Sequence, residues 1–402
     1  MYQKGEKRNE GHLFLVELET SPASLFSAEI SLLQYYILMN HHRQFRHLQP
    51  VFFSGLFDDP VLCVHVRPTG RSILFDCGQI HHLAKRILKS VDAVFISHAH
   101  MDHFMGLDTL IRNVHVTPQT VTIVGPPGIA AKTCHKFAAY DWNLTEMCWS
   151  SFQVQELHSE RVVSHFLPGP EGFPCRYEGE RVRSGTGIFQ NEYLTVQAGQ
   201  CDHKIPSLIF RIDERPAFGI DETKLERNGL VKGEWLRLLQ RKLHRGDDGQ
   251  PLPVLRRAGA GVRVERVADY RSLYSSIRRD CTCASIGYMT DIGFIEENVE
   301  RVAALLKGVT LLVCECAFLA DHRDKARLSH HLCTADLNRL VDVVRPQFVL
   351  PMHLSKTHAG HSNRLYDELE FPPEVKLLRL PDRITPRPLL LHEGVELLRP
   401  GT

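Results

Sequence analysis

No apolar run in this chain is long enough to cross a bilayer: the longest early stretch, Ile30 to Met39, is interrupted by Gln34 and falls well short of the roughly 20 residues a spanning helix needs. Excess charge is missing too. Lys and Arg number 48 against 47 Asp and Glu, a formal net charge of +1, so any polyanion must be met by a local patch rather than by a global field. Internal repeats at solenoid periods are absent. The start, Met1 to Arg8, is polar and no secretory apolar region follows it, so the eleven cysteines read as reduced thiols in a cytoplasmic protein rather than as a disulfide scaffold. What is left is an ordinary globular composition, 43% hydrophobic and 24% charged over 402 residues, enough for one large domain or two smaller ones.

Residues 1–50 read as a loosely ordered extension, with weak periodicity and the basic, histidine-rich run His41 to His47; Met39, just before it, is an alternative translation start. From Val61 the pattern is layered α/β. Strands are expected at Val61–Val66 and Ser72–Asp76 around the turn Pro68-Thr69-Gly70, then at Val121–Val124, with a helix from Ile129 to about Tyr140. Residues 143–192 read as irregular or hairpin-rich. Strands return at Tyr193–Val196 and Ser207–Ile212, a helix is expected over Leu230–Leu243, and a loop over His244–Pro253. The last third alternates strand Ala284–Thr290, helix Ile295–Leu306, strand Leu311–Cys314, helix Thr334–Val344 and strand Phe348–Met352, which argues for sheets covered by helices.

One short segment carries chemistry. Ser97-His98-Ala99-His100-Met101-Asp102-His103 follows the apolar run Val91 to Ile96 and precedes a helical pattern from Phe104 to Ile111, so a strand-to-helix loop can aim several donors at one point. Imidazole suits zinc and carboxylate tolerates zinc or manganese, and the alternation can divide its donors between two ions. A single loop does not complete such a centre. Further candidates stand where later strands emerge: His203, Asp291 and His353. Each alone is weak in a chain with 23 histidines; their conjunction carries the weight.

From about Gly55 to Thr357 these residues resemble the metallo-β-lactamase superfamily, and within it most nearly the ribonuclease Z family. Leu74-Phe75-Asp76-Cys77-Gly78 is similar to the family's first motif and His98–His103 to its second. Asp202-His203-Lys204-Ile205-Pro206-Ser207 resembles the third and Tyr288-Met289-Thr290-Asp291 the fourth. Cys314-Glu315-Cys316-Ala317, His331-Leu332-Cys333-Thr334 and Pro351-Met352-His353-Leu354-Ser355 are similar to the remaining loops. Thr290 and Ile292 stand where the fourth motif has glycine and threonine, and Cys314 where a loop has histidine.

The resemblance implies an αββα sandwich over residues 51–402, with two zinc ions or, alternatively, manganese. It implies one ion on His98, His100 and His203, a second on Asp102, His103 and His353, and Asp291 bridging them. Two divalent ions, two carboxylates and a bridging hydroxide sum to about +1, a seat for a phosphodiester and its more negative transition state. The resemblance further implies that Asp102 orients the attacking water, that His331 held by Glu315 protonates the leaving alkoxide, and that Asp76 braces a ligand histidine. The implied substrate is precursor tRNA, cut at its 3′ trailer, or another phosphodiester; a homodimer is admitted and no membrane partner is expected. No Gly/Pro-rich basic arm stands out, but residues 221–280 hold 14 Lys and Arg against 9 Asp and Glu, either a solvated face or a phosphate-contacting patch. Cys281-x-Cys283 and Cys314-x-Cys316 read as core packing. Two rivals stay open: a hydrolase of small phosphodiesters or other esters, and a catalytically silent binding protein that keeps the fold.

Overall fold

The computed structural model describes residues 45–143, 149–216, 218–245, 249–259, 261–280, 282–384 and 389–390. Residues 1–44 of the expected extension and Cys281 lie outside that set, as does the side chain of Arg245. The described chain runs β1 Leu48–Phe52, β2 Leu62–Val66, β3 Arg71–Phe75, β4 Val91–Phe95, β5 Thr120–Gly125, β6 Ser151–Leu157, β7 Arg161–Leu167 and β8 Arg176–Val182, which with β19 Leu389–Leu390 form the first sheet, ordered β19-β1-β2-β3-β4-β5-β6-β7-β8. The second sheet holds β9 Gly187–Gln190, β10 Leu194–Asp202, β11 Pro206–Glu214, β15 Ser285–Met289, β16 Leu311–Glu315, β17 Phe348–Met352 and β18 Lys376–Leu377, ordered β18-β17-β16-β15-β11-β10-β9. Residues 48–50, read as extension, pair with β2 and are part of the folded body.

Period-two alternation explains the layering. In β4, Ala93 and Phe95 face the second sheet while Val94 faces the helices Leu107–Val114 and Ile129–Ala138, and an extra residue opposite the Ser72–Ile73 step puts Val91 on that outer face too. The inner face is aromatic: the Phe75 ring stacks on Phe95 at 5.0 Å and meets Phe210 at 5.4 Å and Tyr288 at 5.8 Å, so strands of both sheets share one contact. Val302, Leu306, Leu337 and Val341, on the helices Glu296–Leu306 and Thr334–Val344, complete the layer behind the second sheet. The result is the αββα sandwich.

Three expectations change. The helix expected at Leu230 begins at Trp235, because Leu230–Val231 forms strand β12 against β13 Leu252–Ala258 and Gly233 separates the two. A β-carbon on Gly233 would stand 2.7 Å from Leu255 Cδ1, so the chain turns there without a side chain. Residues 221–280 are a lobe rather than a loop-rich segment: β12, β13 and β14 Gly261–Val267 form a third sheet with the helices Glu222–Arg227, Trp235–Arg245 and Tyr270–Ile277. The lobe has its own core of Leu225, Leu230, Trp235, Leu239, Leu252, Val254, Tyr270 and Ile277. Finally, not every thiol is reduced. Cys134 and Cys175 form a disulfide across 41 residues, their Cα atoms 5.8 Å apart, where Phe137 and Phe173 bring the helix Ile129–Ala138 beside the chain entering β8. Cys63, Cys77, Cys201, Cys283, Cys314, Cys316 and Cys333 are free. Among the described residues no helix is long and apolar enough to cross a membrane.

Phe210 is fully buried between the sheets. Phe210→Ala is expected to cost about 3–5 kcal/mol of stability by leaving a cavity that the two sheets cannot close; denaturant unfolding measures it, and a loss under about 1 kcal/mol would show that the aromatic contact does not hold the layers together.

Candidate metal centre

The donors gather at the strand ends where β4, β15 and β17 run out, the place where parallel strands present side chains to a crevice. After β4, Ile96 N–H donates to Val124 O at 2.7 Å, holding the chain against β5 for one residue more before it turns. Ser97 is then fixed by Asp76, whose Oδ1 accepts from Ser97 N–H at 2.7 Å and whose Oδ2 accepts from the Ser97 hydroxyl at 2.8 Å. His100 opens the short helix Met101–Phe104, which carries Asp102 and His103. His203 sits at the tip of the β10–β11 hairpin, where Asp202 faces Pro206 and Lys204 turns with φ +60°. Asp291 follows β15, and His353 follows β17 in a left-handed conformation, φ +61°.

Ligand-type atoms of His98, His100, His203 and Asp291 all lie within 4.8 Å of one another, and so do those of Asp102, His103 and His353. Asp291 joins the groups: its Oδ2 is 3.3 Å from His103 Nε2, 3.6 Å from His98 Nε2 and 3.7 Å from His203 Nε2, while its Oδ1 is 3.4 Å from His353 Nε2. Asp102 Oδ2 lies 3.5 Å from His353 Nε2 and 3.7 Å from His103 Nε2, and its side chain is partly open to solvent. Glu315 and His331 form a third group with Asp291, His331 Nδ1 donating to Glu315 Oε2 at 2.9 Å. All seven proposed metal ligands and the Glu315–His331 pair are thus side by side.

Whether a cation fits can be read from the buried donors. His98 Nε2, His103 Nε2 and Asp291 Oδ1 are buried without a hydrogen-bond partner, and orphaned polar atoms are costly unless something unseen satisfies them. Three pointing into one space is what a cation repairs. The donors are five imidazoles and two carboxylates, a set suited to zinc.

Electrostatics show how strongly the cluster draws positive charge. Burial, and then the neighbouring His103, push His98 down to about 2, so it stands as a neutral donor. Burial would raise the Asp291 carboxyl, but His103 and His353 hold it well below the usual range and ionised. Burial opposes a charged His103, which stays well above its ordinary value because Asp291 and Asp76 flank it. Burial likewise works against a charged His331, and Glu315 and Asp291 override it to hold the imidazole at about 9.

The Asp76 contact has the form expected of a brace: its Oδ2 accepts from His103 Nδ1 at 2.9 Å, which leaves His103 Nε2 facing Asp291. The same oxygen accepts from Tyr288 OH at 3.1 Å and Thr290 Oγ1 at 3.3 Å. Thr290, a departure from the resembled motif, therefore adds a donor. Ile292, the other, offers its N–H to Glu315 Oε1 at 2.8 Å with a fully buried side chain. Sequence reasoning missed Asp59, half-buried against Gly78, whose carboxyl is raised by burial and by Asp102. Nothing in Asp58-Asp59-Pro60 beyond a turn signal marks it.

Residues 71–175 match the model of a β-lactamase superfamily domain. The ribonuclease Z of Deinococcus radiodurans is 27% identical over 290 residues, covering 71% of this chain and 83% of its own. The ribonuclease Z of Shouchella clausii is 27% identical over 302 residues, covering 73% and 80%. Among solved structures, the metallo-β-lactamase fold protein YhfI from Bacillus subtilis superposes with a TM-score of 0.46 at 14% identity, over 83% of this chain and 98% of that one. The chain is accordingly an αββα sandwich whose residues 71–175 match a β-lactamase superfamily domain and which is similar along most of its length to ribonucleases Z.

Proposed function

We propose that this chain is a binuclear zinc phosphodiesterase of the ribonuclease Z kind, an endoribonuclease removing the 3′ trailer of precursor tRNA. The observation that supports it most is the convergence of seven imidazole and carboxylate donors into two groups joined by Asp291, with the Glu315–His331 pair alongside. His98, His100, His203 and Asp291 would hold one ion and Asp102, His103 and His353, with Asp291 beside them, the other; manganese is the alternative occupant, since carboxylate donors accept it. Two divalent ions bound there would supply positive charge for the phosphodiester and lower the pKa of a water toward neutrality.

The remaining work belongs to the chain. Asp102, open to solvent at one side, orients the attacking water and accepts its proton. His331, kept protonated and in one orientation by Glu315, donates a proton to the departing alkoxide. A small-diester hydrolase shares all of this; what favours RNA is the lobe at 221–280, whose exposed Arg257, Arg263 and Arg266 lie on the β13–β14 hairpin. Lys242, on the basic helix Trp235–Arg245, is buried under the Tyr270 ring, so that helix is not a uniform phosphate-contacting surface. The lobe leaves β11 after Glu214 and re-enters at Ser285, the end of the sheet opposite His203 and Asp291. Nine residues of β11 separate the two, about 30 Å at the usual strand rise. The lobe is thus rooted far from the bond that would break.

Purified protein is expected to carry two zinc ions per chain by metal analysis, and Asp291→Ala to lose activity and loosen both. Full activity with full metal in that variant would sink the assignment.

His331→Ala is expected to lower turnover of an alkoxide-leaving substrate by roughly two to four orders of magnitude at unchanged metal content. A nitrophenyl diester, whose leaving group needs no proton, should largely escape the loss. Equal losses on both substrates would make His331 a structural residue.

Neutralising Arg257, Arg263 and Arg266 together should weaken precursor-tRNA binding and flatten its salt dependence by about 0.7–0.9 in log–log slope for each phosphate that no longer meets a cation. Hydrolysis of a small diester should stay as it was. Unchanged RNA affinity and slope would make the hairpin a solvated face and favour the small-diester reading.

A further inference from the structure

His330 stands beside the proposed acid and belongs to none of the donor groups. It ends the helix Arg323–Ser329 in a left-handed conformation, φ +55° and ψ +49°, which a β-carbon disfavours. That turn redirects its carbonyl. His330 O accepts from His203 Nδ1 at 2.6 Å, so the proton of His203 is fixed on Nδ1 and its Nε2 lone pair faces Asp291. The His330 imidazole is held in turn, Nδ1 donating to Asp202 Oδ2 at 2.8 Å, and Gly293 lies beneath it: a β-carbon there would come within 3.1 Å of the ring.

Asp202 is itself locked. Its N–H donates to Asn298 Oδ1 at 2.9 Å, and its carbonyl accepts from Asn298 Nδ2 at 2.9 Å and from Gly293 N–H at 2.8 Å. Asn298, fully buried on the helix Glu296–Leu306, also donates Nδ2 to Gly293 O at 2.8 Å. Across the same gap Lys204 Nζ donates to Leu328 O at 2.6 Å. Three loops are therefore tied at one point: the hairpin carrying His203, the loop two residues past Asp291, and the turn one residue before His331.

We propose that His330 is a positioning residue whose imidazole, anchored on Asp202, holds a strained left-handed turn that both fixes the metal-facing tautomer of His203 and sets where His331 stands. This rests on the metal-dependent reading above and deepens it. His203, one of the first ion's three histidines, and the acid then share a single bracket, and loosening it should affect metal affinity and proton delivery together.

The test uses the full chain, stripped of metal and titrated with zinc against a chelator of known affinity, for the wild type and for His330→Ala, His330→Gly, His330→Asn and Asp202→Ala. Glycine keeps the left-handed turn without strain but lacks the imidazole, and asparagine tolerates the turn and restores a donor. Expected is a 10- to 100-fold weakening of one of the two zinc sites in His330→Ala and Asp202→Ala, a smaller one in His330→Gly, whose turn needs no anchor, and recovery in His330→Asn. In the weakened variants, saturated with zinc, turnover should fall further on an alkoxide-leaving substrate than on a nitrophenyl diester. Wild-type zinc affinity and an unchanged ratio between the two substrates in His330→Ala and Asp202→Ala would overturn the bracket. Lower melting temperature as the sole change would do the same. A wild type that takes up fewer than two zinc ions would instead overturn the metal-centre reading on which the bracket rests.

Discussion

One fully buried carboxylate underlies the arrangement. Asp76, in a left-handed turn at the end of β3, takes hydrogen bonds from Ser97 twice, from His103, from Tyr288 and from Thr290. Ser97 and His103 belong to the first sheet's loop and Tyr288 and Thr290 to the second sheet, so one charge stitches the layers together directly beneath the donors. A buried anion is tolerable only when its oxygens are satisfied, and here five donors do it. The same contacts would leave several buried groups orphaned if the carboxylate were removed, which makes site geometry and inter-sheet packing one problem rather than two.

Asp291 repeats that logic one layer outward. It is ringed by imidazoles instead of hydroxyls, and its Oδ1 is buried with no hydrogen-bond partner. Asp76 is thereby saturated and structural, whereas Asp291 keeps open acceptor capacity in a cluster of neutral and charged rings. The contrast between two buried aspartates, separated by what surrounds them and not by their own chemistry, is what distinguishes a brace from a binding group.

Much of this was legible in the chain. His98 to His103 is informative because its donors are adjacent in sequence, and the helices at 296–306 and 334–344 and the strand Phe348–Met352 follow directly from periodicity. Contacts that depend on residues far apart were not. The Asn298–Asp202 pair spans 96 positions and the His330–Asp202 pair 128, and each residue alone looks like ordinary polar surface. The disulfide escaped for the same reason. The β13–β14 hairpin was hidden differently: Arg256, Arg257, Arg263 and Arg266 interrupt the apolar alternation that marks a strand, since only one face of this small sheet meets a core.

The placement of the lobe makes it separable from the body. It is inserted between β11 and β15, which are immediate neighbours in the sheet with Asp213 opposite Ser285. Its two ends therefore leave the body about one strand spacing apart, roughly 5 Å, a gap that a tight turn could close. Because the lobe brings its own core, such a joint lets the whole cassette be lengthened, exchanged or removed without repacking the sandwich or moving a single donor. A different cassette at this joint would change what the body binds and leave the donor cluster as it is.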